Sequence, residues 1–269
     1  MPLSKDFRQT YGPWALVTGA SSGIGEQFAR LLASEGFNLI MVARRADRLE
    51  SISTELHNAY KVEVETVPLD LSKPDFIDHL LKRCEGKDIG LVISNAGFGL
   101  KGLFYEIPLE KLCNMLDVNC RANLKITHSF IPRLIQRERG GIILTSSMEG
   151  FCGVPWSAAY SASKAFVLSL GEALWDELRR HNIDVLVLAP GPIDTDIHIA
   201  QGIDKKDLSG LKSPQEVARI GLEQLGKRPV YVTGFFYRQL ICILSKLPRK
   251  WAVRSMGMGV RRVVLKGKK

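Results

Sequence analysis

Seven short apolar runs recur along this chain, at residues 14–17, 39–42, 62–67, 91–93, 141–144, 183–188 and 230–232, with amphipathic segments between them. Runs so short and so apolar read as strands buried on both faces, and the segments between them carry the period of helices. Alternation of the two implies a parallel sheet, because each helix returns the chain to the same edge before the next strand begins. The expected fold class is α/β, a doubly wound parallel sheet with helices on both faces. At 269 residues and 45% hydrophobic, with no shift in composition, the chain fits one large domain. The longest irregular stretch, residues 190–213, is longer than a simple connection needs and reads as a functional loop.

The first βα connection is Thr18-Gly19-Ala20-Ser21-Ser22-Gly23-Ile24-Gly25, and it opens a helix with Ile24, Phe28, Leu31 and Leu32 on one stripe. Three glycines are entropically costly in a plain turn, but they let backbone amides at a helix N-terminus approach the phosphates of a dinucleotide. That context makes the sheet Rossmann-type. The second run ends Met41-Val42-Ala43-Arg44-Arg45. An acidic residue there would accept from the ribose 2′-hydroxyl of NAD, whereas two guanidiniums suit a 2′-phosphate. NADP(H) is therefore expected in preference to NAD(H). Asp70-Leu71, Asn95-Ala96-Gly97 and Pro190-Gly191 follow later strands, at the ends where open α/β sheets place their ligand crevice. The five cysteines form no CxxC pair and no regular spacing, so no metal site is expected.

Tyr160 and Lys164 stand four residues apart on one expected helix, with Ser147 thirteen residues before the Tyr. Residues at that spacing share a face, so the ammonium is expected beside the phenol, lowering its pKa from about 10 and making it a proton donor near neutral pH. Together with a dinucleotide, this suggests hydride transfer with a protein acid. Asn119 sits inside a helical pattern with no capping role, and either faces solvent or does a job.

As a set, these motifs resemble the short-chain dehydrogenase/reductase family in its compact subtype, over residues 13–233. The resemblance implies Tyr160 as general acid/base, Ser147 as hydrogen-bond partner of the substrate oxygen, Lys164 as binder of the nicotinamide ribose and Asn119 as part of a proton relay. It also implies that Ile193 and Thr195, in Pro190-Gly-Pro-Ile-Asp-Thr, contact the cofactor. One departure stands out: Glu149 occupies a place where the family often has a small residue. Its carboxylate would raise the phenol pKa, select a basic substrate group, or point outward and do nothing. Phe98, Phe151, Trp156 and the 190–213 loop are expected to line an apolar pocket.

The net charge of +9 is concentrated at one end. After Glu223 come twelve Lys or Arg and no Asp or Glu, leaving 25 cations against 28 carboxylates in residues 1–223. Residues 1–233 are read as a dinucleotide-binding catalytic domain and 234–269 as a basic amphipathic extension, packed on the domain or capping its cleft. Within the extension, Phe236, Leu240, Ile243, Leu244 and Leu247 make one apolar stripe. The chain is expected to be cytoplasmic: its first residues lack a signal peptide, no stretch is long and apolar enough to span a bilayer, and its cysteines form no disulfide pattern. Peripheral membrane contact through the tail stays open. So does homo-oligomer formation through a second apolar side of the helix at 157–180, with Val167, Leu170, Leu174 and Leu178. Nucleic acid is not an expected partner, since the tail has no recognition motif. The expected partner is an apolar carbonyl or alcohol. The competing reading is a catalytically idle NADP(H)-sensing protein that holds a partner or membrane through its tail; the intact Ser-Tyr-Lys set favours an oxidoreductase.

Overall fold

A computed structural model describes residues 6–194 and 211–266, with side chains except those of 259 and 262–266. Seven parallel strands form one sheet: β1 Trp14–Thr18, β2 Asn38–Ala43, β3 Val64–Pro68, β4 Ile89–Ser94, β5 Gly140–Thr145, β6 Ile183–Ala189 and β7 Val230–Val232. Their order is β3-β2-β1-β4-β5-β6-β7. The order reverses between β1 and β4, and a crevice opens beyond their C-terminal ends, where ligands bind in such sheets.

Strand side chains alternate between two cores. Ala15, Val17, Leu39, Met41, Leu91 and Ile93 face one layer, built on α2 Gly23–Ser34, α3 Ala46–Tyr60 and α8 Pro214–Gln224. Leu16, Ile40, Val42 and Val92 face the other, built on α4 Phe76–Arg83, α6 Asn123–Gln136 and α7 Ala158–Glu177. Burial on both faces is why each strand reads as a continuous apolar run. The C-terminal helices are α9 Phe235–Lys246 and α10 Arg249–Lys266, and α5 Leu109–Leu116 precedes α6.

Two expectations change, and one element carried no sequence signal. The N-terminal residues form a short helix, α1 Phe7–Tyr11, whose two aromatic residues are buried, with the Tyr11 hydroxyl donating to Asp184 at 2.6 Å. Of the four residues expected on an exposed side of the helix for pairing, Val167 and, just past the end of α7, Leu178 are core residues and Leu174 packs against them, while Leu170 is half-buried outside that core. The C-terminal stripe is split. Ile241 and Leu244 of α9 are buried with Ala252 of α10 and Cys152, while Ile243 and Leu247 turn outward.

Candidate active site

The glycine loop meets its neighbours too closely for side chains. Gly19 has φ +70°, and a Cβ there would come within 3.0 Å of the Asn95 amide; a Cβ on Gly25 would lie 2.2 Å from the Gly19 carbonyl oxygen. Ser22 stands at the N-cap of α2 without a side-chain cap, which leaves the first amides of the helix uncapped at the end that lines the cleft. Gly19, Ser21, Ser22, Gly23 and Ile24 line a cleft of about 870 Å³. Gly25 stands behind that wall.

The two arginines differ. Arg45 lies across the loop, its guanidinium donating to the Ser21 hydroxyl at 3.0 Å and the Ser22 hydroxyl at 2.7 Å. Arg44 is exposed at the cleft mouth, near enough to Asp70 to help hold that carboxyl below its usual range. Burial opposes that shift, and hydrogen bonds from the Ser72 amide and hydroxyl outweigh it. Asp70 and Leu71 line the cleft beside Arg44.

Asn95 stitches strand ends together. Its amide group donates to the Thr18 carbonyl at 3.2 Å and its carbonyl accepts from the Thr145 hydroxyl at 3.3 Å, joining β1, β4 and β5 at the reversal point. The Thr18 hydroxyl in turn accepts from the amides of Asn95 and Ala96. Ala96 and Gly97 then line the cleft, as do Pro190, Gly191 and Ile193 opposite the glycine loop's side of the sheet switch. Thr195 lies outside the described residues, with most of the 190–213 loop.

Asn119 is fully buried in a π-helical turn, Asp117–Ala122, between α5 and α6. Its side chain donates to the Phe98 carbonyl at 2.9 Å and the Ser163 hydroxyl at 3.0 Å, and accepts from the Phe98 amide at 3.0 Å. Of the two readings open for a mid-helix Asn, solvent is excluded. The widened turn aims it inward, where it ties the loop after β4 to α7 from behind the cleft wall.

Ser147, Tyr160 and Lys164 converge on the cleft from β5 and α7. The Lys164 Nζ sits 5.7 Å from the Tyr160 ring centroid, and it donates to the Thr145 carbonyl at 2.9 Å. Burial pushes the ammonium down to about 8. The phenol does not behave as the spacing alone predicts. Burial, foremost, and then the Glu149 carboxylate raise its proton affinity, and a hydrogen bond with Ser147 only partly offsets them. Burial dominates, Lys164 spends a hydrogen bond on the Thr145 carbonyl of the strand, and the Glu149 carboxylate acts on the phenol in the direction that its position in the sequence allowed.

Glu149 points inward. Lys101 donates to it at 2.5 Å and to the Ser157 hydroxyl at 2.9 Å, and Ser157 donates to the second carboxylate oxygen at 2.5 Å. This closed triangle ties three segments: the loop after β4, the turn bearing Ser147, and the N-cap of α7. The Lys101 Nζ lies 5.3 Å from the Tyr160 centroid. Sequence reasoning missed Lys101 and Ser157, which are separated from Glu149 by 48 and 8 residues and match no motif; the one available signal was that a buried Glu needs a cation. Phe98 lines the cleft as expected, but Phe151 packs toward α9 and α10, and Trp156 stacks under Arg261 at 5.7 Å. Their places are taken by Tyr237 and Leu240 of α9 and Met256 and Val260 of α10.

The cradle fits a dinucleotide: close backbone, helix amides and a cationic mouth lead to a phenol and a serine hydroxyl. Comparisons agree with that fit. A family model described as short chain dehydrogenase matches residues 13–206. The 7beta-hydroxysteroid dehydrogenase of Clostridium sardiniense is 30% identical over 253 residues, 94% of this chain and 97% of that protein. A very-long-chain 3-oxoacyl-CoA reductase of Phaeosphaeria nodorum is 33% identical over 222 residues, 80% of this chain and 64% of that one. Among solved structures, a 7beta-hydroxysteroid dehydrogenase superposes with TM-score 0.87 at 29% identity, covering 93% of this chain and 98% of that one. A short-chain dehydrogenase from Sphingobium yanoikuyae in complex with NADPH gives 0.78 at 29% identity, covering 88% and 96%.

Proposed function

Since the chain belongs to the short-chain dehydrogenase family, and so is an oxidoreductase acting on hydroxyl and keto groups with a nicotinamide cofactor, we propose that it uses NADP(H) to interconvert a bulky apolar ketone and its secondary alcohol. The observation that carries this reading is the convergence of Ser147, Tyr160 and Lys164 on one cleft with the glycine loop and Arg44. NADPH, when bound, supplies the hydride. Tyr160 gives its proton to the carbonyl oxygen as negative charge develops there, and the Ser147 hydroxyl donates to the same oxygen. Lys164 holds the nicotinamide ribose, and its charge favours the phenolate left behind. Asn119 holds Phe98 and Ser163 in place and so supports the proton path. Arg44 takes the 2′-phosphate, while Arg45 fixes the loop that the pyrophosphate meets.

The substrate end is apolar. Phe98, Leu240, Met256 and Val260 supply a wall suited to a fused-ring or long-chain compound, the size class named in the steroid dehydrogenases and acyl-CoA reductases that the chain resembles. An idle sensor finds no support, since holding a dinucleotide needs no Ser-Tyr pair at the reacting end. The test is a panel of bulky ketones with NADPH, followed at the cofactor absorbance. Turnover with apolar ketones supports the reading; none with any ketone or alcohol, in either direction, refutes it.

A further inference from the structure

The two helices that wall the cleft carry a second chemistry on their outer sides. Inward, Tyr237, Leu240, Ser255, Met256 and Val260 line the cleft. Outward, α9 exposes Phe236, Gln239, Ile243 and Lys246, and α10 exposes Trp251, Arg254 and Met258, while the Arg261 guanidinium turns back over the Trp156 ring. Each set advances by steps of three and four residues, which keeps it on one helix face. Phe236 and Met258 are each 68% exposed, Ile243 58% and Trp251 52%. Large apolar side chains so exposed, recurring two turns apart on the outer face of each helix, mark an interaction surface.

The charge says which partner fits. From residue 224 on, the chain has no carboxylate of its own. Among the described residues, none of Lys246, Arg249, Lys250, Arg254 and Arg261 pairs with a carboxylate. Lys250 and Arg254 flank the Trp251 ring, at 5.9 and 6.0 Å from its centroid. Aromatic and aliphatic groups interleaved with cations on one helix face match the boundary of an anionic bilayer, where acyl chains take the former and phosphates the latter. A second copy would bring two wholly cationic faces together. A nucleic acid would leave Phe236, Ile243, Trp251 and Met258 in water.

We propose that this outer face docks on an anionic membrane surface and holds the cleft beside the bilayer, from which a membrane-dissolved ketone or alcohol enters. Docking stands independently of the redox chemistry; what is delivered rests on the function proposed above.

The full chain is centrifuged with phosphatidylcholine vesicles, with and without phosphatidylserine, at about 0.1 M and about 1 M salt, between which the screening length falls from about 10 to about 3 Å. Binding is expected only to the anionic vesicles, weakening at least about tenfold at high salt. Lys250→Glu with Arg254→Glu should weaken it by at least about tenfold, since each surface cation contributes up to about fivefold. Trp251→Ala with Met258→Ala should weaken it as well, and both double variants should reduce a small water-soluble ketone at the wild-type rate. Failure to bind anionic vesicles, equal binding to neutral ones, or a dimer abolished by the Trp251/Met258 pair overturns the proposal, as does binding to duplex DNA in place of vesicles. Vesicle binding without any ketone reduction would leave docking standing and remove the redox reading; reduction without vesicle binding would do the opposite.

Discussion

Lys164 carries a cost that a single substitution exposes. Its ammonium is buried, and burial moves its pKa from an ordinary 10.5 to about 8. At neutral pH the folded protein keeps a proton that its interior disfavours, whereas the unfolded chain holds the same proton freely in water. A displacement from 10.5 to about 8, at about 1.4 kcal/mol per tenfold change in proton affinity, corresponds to roughly 3 kcal/mol at pH 7. Lys164→Met keeps an unbranched stem and removes that cost, but forfeits the hydrogen bond to the Thr145 carbonyl, about 1 kcal/mol. The variant should therefore be more stable than wild type by about 2 kcal/mol at pH 7 while losing catalysis. The sign of the pH dependence follows from proton counting. Between about 8 and 10.5 the unfolded state binds one proton more than the folded one, so wild-type stability rises with pH through that window, and the variant lacks this rise. By pH 9.5 the lead should shrink by about 2 kcal/mol, to near zero. Urea unfolding of the cofactor-free proteins at the two pH values reads this directly. A lead that does not change with pH, or a variant destabilised at pH 7 as much as at 9.5, would refute the buried-charge argument.

Arg44→Ala should abolish the preference for NADPH over NADH, which in wild type is expected to be at least about tenfold, or about 1.4 kcal/mol from one charge-assisted contact; dissociation constants for both cofactors in both proteins check it. The Lys101–Glu149 pair should set where Tyr160 titrates. Alcohol oxidation needs the phenolate as base, so removing the Glu149 charge in Glu149→Gln should shift the acid limb of its pH profile down by about one pH unit, and Lys101→Met, which leaves the carboxylate uncompensated, should shift it up by a similar amount. Identical profiles in all three proteins would deny the pair any electrostatic hold on the phenol.

Much of the fold was legible because the strands are buried on both faces. Val17, Leu39–Val42 and Leu91–Ile93 leave no polar alternation to confuse with a solvent-facing strand. Strand order was not legible, since nothing in an apolar run says which neighbour it meets. The helix at Phe7–Tyr11 escaped notice because five residues are too few for a periodic signal, and its burial depends on Phe37, which is distant in sequence. The glycine loop and the Tyr160–Lys164 spacing announced a site because local geometry demands those residues. Lys101 announced nothing, since its meaning comes from a carboxylate 48 residues away. The tail misled in one respect. A stripe read as one apolar face is divided between Leu244, facing the domain, and Ile243, facing out, because neighbouring positions on a helix lie about 100° apart.

The account turns on Tyr160 as the proton donor. Steady-state reduction of a good bulky ketone, alongside NADPH affinity from fluorescence titration, should be measured for wild type and Tyr160→Phe. The account predicts that turnover falls by at least about 10²-fold while NADPH affinity stays within about twofold, because the phenol acts in the transition state and not in holding the dinucleotide. A variant that keeps more than about a tenth of the activity, or one whose loss is matched by loss of NADPH binding, would contradict it.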